Sequence, residues 1–104
     1  MALTRSYKDT LSARLRRDSD FRAALLREAI DVFLAGEVDV GKAVLRDYIN
    51  ATIGFEKLGA KVKIPPKSLM RMFGPKGNPQ AKNLFAVIGF LQKEAGLELH
   101  IAAE

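Results

Sequence analysis

"IPPKSLMRMFGPKGNPQAKNLF", residues 64–85, decides how the rest of the chain reads. Pro65 or Pro66 suits a first helical turn, where a missing N–H costs nothing, so "PPKSLMRMF" is expected to be helical to about Phe73. Gly74 and Pro75 stop it. After the Gly-Pro-Lys-Gly-Asn-Pro break, Pro79 suits the start of a last long helix, in which Leu84, Val87, Ile88 and Leu91 share a face and Phe85 and Phe90 flank it. That helix is expected to end near Gly96. The middle helix is short and has two sides: Leu69, Met72 and Phe73 to bury, and Lys67, Ser68 and Arg71 to expose.

Upstream, Phe55, Leu58 and Val62 mark another short helix that starts near Gly54. A longer one precedes it, with Asp39 as cap and Val40, Val44, Leu45, Tyr48 and Ile49 on one side, running to about Asn50 or Thr52. In "DSDFRAALLREAIDVFLAG", Phe21, Leu25, Ala29 and Phe33 recur every four residues, and Leu26, Ile30 and Leu34 widen the stripe. Asp18 or Ser19 can cap its start and Gly36 can close its end. "SYKDTLSARLRR" carries Tyr7, Leu11 and Leu15 on one face. Downstream, "LELHIAAE" alternates Leu97, Leu99 and Ile101 with Glu98, His100 and Ala102, which is a strand pattern.

The expected architecture is all-α: a bundle of five to six helices containing a helix-turn-helix, with a short C-terminal β-strand. The 104 residues form one domain, with N-terminal helices over 1–37, a helix-turn-helix core over 38–96 and the strand over 97–104.

Net charge is +5, unevenly spread. Residues 1–53 hold nine Lys/Arg and eight Asp/Glu, whereas residues 54–82 hold seven Lys/Arg (Lys57, Lys61, Lys63, Lys67, Arg71, Lys76, Lys82) against Glu56 alone. More than the whole excess therefore sits around the opening stretch, as expected for a segment that meets a polyanion. Lys57, Lys61 and Lys63 suit either a solubility face or an electrostatic rim.

Two short helices across a tight turn, held by a longer helix on each side, form the arrangement that places a reading helix in a DNA major groove. Lys67, Ser68 and Arg71 are the expected contacts of that helix, with Arg71 the leading candidate for base edges. Met70 suits either the core edge or a thymine methyl. In the following loop, small residues let backbone N–H groups approach phosphates, and Lys76, Asn78 and Lys82 add donors. Asn78 serves equally as a helix cap.

The order of these pieces over residues 38–96 resembles the Xre/Cro-type helix-turn-helix. Over nearly the whole chain, "FRAALLREAI", "LRDYINATIGFEKL" and above all "PPKSLMRMFGPKGNPQAKNLFAVI" resemble the HigA-like addiction-module antidote family. The resemblance implies a DNA-binding antitoxin that represses its own operon and binds a RelE-like toxin encoded beside it. The proline pair stands where polar residues usually open an Xre-type reading helix, so no base-reading role is carried to Pro66. A toxin is expected on the N-terminal helices, where Arg14, Arg16 and Arg17 stand beside Asp18 and Asp20. A homodimer is expected as well, since two half-sites need two reading helices, and the alternating tail is its candidate contact.

Other chemistry has little support. With no cysteine and a lone His100, neither a thiolate metal site nor His-based catalysis is expected. Asp18 and Asp20 read as capping residues. No Walker-type loop or nucleophile elbow occurs, so neither an enzyme nor a cofactor is expected. "MALTRSYKDT" lacks the apolar core of a secretion signal, and no apolar run approaches the roughly 20 residues that span a bilayer, so a soluble cytoplasmic protein without membrane contact is expected. The competing reading is a helical protein-interaction adaptor whose basic stretch is incidental.

Overall fold

The computed structural model describes residues 2–96, the side chains of residues 2–6 and 8 excepted. Among them run six helices: α1 (Ala2–Arg17), α2 (Ser19–Leu34), α3 (Val38–Ala51), α4 (Phe55–Val62), α5 (Pro66–Met72) and α6 (Ala81–Glu94). The described residues contain no strand. The strand expected over 97–104 lies outside them.

The helix ends follow from local chemistry. Asp18, in extended conformation, breaks α1 from α2, and its Oδ1 accepts the Phe21 N–H at 3.0 Å. Of the two candidate caps it is therefore Asp18 that acts. The Phe21 N–H bond, aided by the Arg14 guanidinium, holds the Asp18 carboxyl below the usual carboxylate value. Arg22 Nη1 donates to the Leu15 carbonyl at 2.7 Å and so satisfies the open end of α1. Gly36, at φ +89°, takes the left-handed position that ends α2. Helix α3 begins at Val38 rather than after Asp39, so Asp39 lies inside its first turn, where an acid suits the helix dipole.

Leu15, Leu26, Leu45, Ile49, Leu58, Leu69, Phe73, Val87 and Leu91 meet in one core to which every helix contributes. Each such side chain contributes about 1.5–3 kcal/mol by leaving water. Three residues that helical spacing assigns to buried faces lie outside: Tyr7 on α1, Leu34 at 72% exposure and Val40 at 49%. Leu34 ends α2 and Val40 belongs to the first turn of α3; at this corner the two helices meet through Phe33 and Gly41, whose close approach takes the shared face and leaves Leu34 and Val40 outside it.

Candidate nucleic-acid interface

Helices α4 and α5 are joined through residues 63–65. Lys63 adopts a left-handed conformation at φ 60°, uncommon for a residue with a side chain, and turns the chain. Gly59 permits the close approach: a Cβ there would stand 2.7 Å from the Ile64 carbonyl oxygen and 3.1 Å from Pro66 Cγ. Pro66 opens α5 at its first position. The inner side of α5 is anchored by Leu69, at 0% exposure, and by Phe73 just beyond its end. The Phe73 ring packs on Phe55 of α4 with centroids 6.3 Å apart. Lys67, Met70 and Arg71 remain exposed and Ser68 is half-buried. Leu69 and Phe73 thus face inward and Lys67 and Arg71 outward as expected, whereas Met72 and Ser68, expected on opposite sides, are both half-buried; Met70 is exposed.

The loop after α5 folds back on the helix. Gly74 N–H donates to the Arg71 carbonyl and Gly77 N–H to the Gly74 carbonyl, each at 3.1 Å. Gly77 lies so close that an added Cβ would overlap the Arg71 carbonyl oxygen and stand 2.7 Å from that of Met72. Two cations from α3 tie this loop down. Lys42, only 3% exposed, donates from Nζ to the carbonyls of Gly74 at 3.0 Å and Gly77 at 2.7 Å. Its third neighbour is Asp39 Oδ1 at 3.5 Å. Arg46 Nη1 donates to the Phe73 carbonyl at 3.3 Å. Positive charge at the open carbonyls of a helix C-terminus is favourable both as hydrogen bonding and against the dipole.

Folding the loop back creates a concavity of about 280 Å³ lined by Ser68, Arg71, Met72, Lys76, Gly77, Asn78, Gln80 and Asn83. It gathers four of the six expected contact residues, Ser68, Arg71, Lys76 and Asn78. Lys67 on α5 and Lys82 on α6 are exposed but outside the lining. Helix α6 starts at Ala81 rather than Pro79, because Gln80 is still extended at ψ 144°. The N-cap is therefore Gln80, without a side-chain cap bond, and Asn78 does not cap the helix. The open N–H groups of this first turn face no side-chain acceptor at the cap and suit an anion.

Among the described residues no acid lines the concavity. Its polar groups are a guanidinium, an ammonium, a hydroxyl and three carboxamides. Such a set donates to phosphates, and arginine and carboxamides pair with the base edges of guanine and adenine. Gln80 and Asn83 join the expected contacts here, and the polar step at the start of α6 is the sequence signal that points to them. No local signal in the sequence marks Lys42 or Arg46, whose partners lie 27 to 35 residues away.

Among the described residues no group of three His, Cys, Asp or Glu side chains is placed to hold a metal ion, and no helix is long and apolar enough to cross a membrane. Comparison with protein families, curated proteins and solved structures finds no match for this chain.

Proposed function

We propose that the protein is a sequence-specific DNA-binding repressor of its own operon and the antitoxin of a type II toxin-antitoxin module, acting in the cytoplasm without catalysis. In this reading α4 and α5 are the helix-turn-helix, α5 enters the major groove, Arg71 and Ser68 meet base edges, and Lys76, Asn78 and Lys82 hold phosphates. The observation that carries it is the acid-free concavity beside a short, core-anchored helix, where Ser68, Arg71, Lys76 and Asn78 converge with two further carboxamides. A two-fold homodimer presents two reading helices to half-sites about 34–36 Å apart, with residues 97–104 pairing as a strand with their copy. The toxin partner is of RelE-like type and docks on the N-terminal helices, as the sequence resemblance and the near-balanced charges of residues 1–53 suggest.

The test is a gel shift with the DNA upstream of the protein's own gene against a scrambled duplex of equal length. The reading expects retardation of the upstream duplex at concentrations that leave the scrambled one free. Equal retardation of both removes the sequence-specific part, and none of either removes DNA binding.

A further inference from the structure

Two exposed patches outside the lining of that concavity are opposite in charge. The first is the corner between α2 and α3. Leu34, Val38 and Val40 are 72%, 44% and 49% exposed there, although Leu34 and Val40 carry the helical spacing of core residues. Residues 31–39 contribute Asp31, Glu37 and Asp39 and no Lys or Arg, in a chain whose net charge is +5. All three acids are exposed; Asp39 already faces the Lys42 ammonium at 3.5 Å, so Asp31 and Glu37 carry the acidic character of the corner.

The second patch is a groove of about 360 Å³ between α4 and α6, lined by Val62, Phe85, Ala86, Gly89 and Phe90 and flanked by Lys61 and Lys93. Phe85 is 64% exposed. An added Cβ at Gly89 would meet nothing within 4 Å among the described residues, so none of them requires the glycine. A helix interior disfavours glycine, and here its absent side chain leaves room for another molecule against α6. Among the described residues no acid lines this groove.

We infer that the acidic apolar corner of one copy docks into the lysine-flanked apolar groove of a second copy. Each patch supplies what the other lacks: aliphatic side chains for the aromatic groove, and carboxylates for Lys61 and Lys93. Corner-to-corner or groove-to-groove pairing sets like charges against each other, which disfavours it. The contact is heterologous, so it closes into a pair where both contacts form at once and otherwise extends into longer assemblies. It is independent of the DNA-binding reading and of any pairing through residues 97–104.

Sedimentation velocity of the full chain over a concentration series, at low salt, tests the contact without DNA. Two double variants are compared with wild type after circular dichroism shows unchanged helicity: Asp31→Lys with Glu37→Lys, which leaves the Asp39–Lys42 pair intact, and Lys61→Glu with Lys93→Glu. Wild type is expected to form a larger species than either variant, with self-association weakened by about tenfold or more in each, since two attractions become repulsions. An equimolar mixture of the two variants is expected to recover the larger species, because the basic corner of one meets the acidic groove of the other. Variants that sediment like wild type, or a mixture that stays at the size of its components, overturn the inference.

Discussion

Replacing Lys42 with methionine keeps the buried aliphatic stem and removes only the ammonium. Two charge-assisted hydrogen bonds to Gly74 and Gly77 disappear, at 3.0 and 2.7 Å. Each such bond contributes about 1.5–3 kcal/mol, about 3–6 kcal/mol gross for two. The cost of holding an ammonium out of water, several kcal/mol, is returned at the same time. Gly74 and Gly77 are half-exposed, so their carbonyls regain water when the loop opens. These opposing effects leave about 2 kcal/mol as the loss at the loop, equivalent to about a 30-fold change in its opening equilibrium. Amide hydrogen exchange followed by NMR reads that directly: the Gly74 and Gly77 N–H groups in Lys42→Met are expected to exchange about 30-fold faster. The amides of α2 around Leu26, in the core, keep their wild-type rates. Wild-type exchange at Gly74 and Gly77 in a folded Lys42→Met protein would refute the clamp. Uniform acceleration throughout the molecule would refute its local character.

Arg71→Ala is expected to weaken binding to the upstream duplex by about 1–3 kcal/mol and relax preference at one or two base positions, read as the ratio of upstream to scrambled affinity. Lys76→Ala and Lys82→Ala lower affinity for all duplexes alike and reduce the magnitude of the salt slope by about 0.9 per lost phosphate contact; an unchanged slope in a salt titration places the lysine away from the backbone. The Asp18 carboxyl, held below its ordinary value in the fold, contributes stability that is present above the unfolded carboxylate range and lost as pH falls through the folded value. Asp18→Asn keeps a capping oxygen but cannot titrate, so urea unfolding midpoints of this variant are expected to fall less than those of wild type between about pH 6 and pH 3.

Much of the helical framework is legible because it rests on local rules. Leu58, Leu69, Val87 and Leu91 follow helical spacing into the core, and Gly36 and Gly74 stand where helices end. Leu34 and Val40 keep that spacing yet stay outside, because periodicity does not say which of two adjacent residues meets the neighbouring helix, and here Phe33 and Gly41 do. The start of α6 is ambiguous for a related reason: Pro79 suits a first helical position as well as an extended loop, and only the extended Gln80 decides between them. Ser68, Arg71, Lys76 and Asn78 were readable as a polar set on and after a short helix. Lys42 was not, since it lies 32 residues before Gly74, and a lysine in an amphipathic helix ordinarily reads as solvated. Its burial is a tertiary event, created when α3 packs beside a loop that follows two intervening helices.

The central claim is that the concavity formed by α5, the loop and the first turn of α6 is where DNA binds. A titration of the ¹⁵N-labelled protein with the upstream duplex, followed by amide and side-chain ¹H–¹⁵N shifts, tests it most directly. The account predicts the largest changes at Ser68, Arg71, Lys76 and Asn78 and at the carboxamides of Gln80 and Asn83, with little change in α2. Binding that shifts α1 and α2 while leaving these six residues unmoved, or no binding at all, would contradict it.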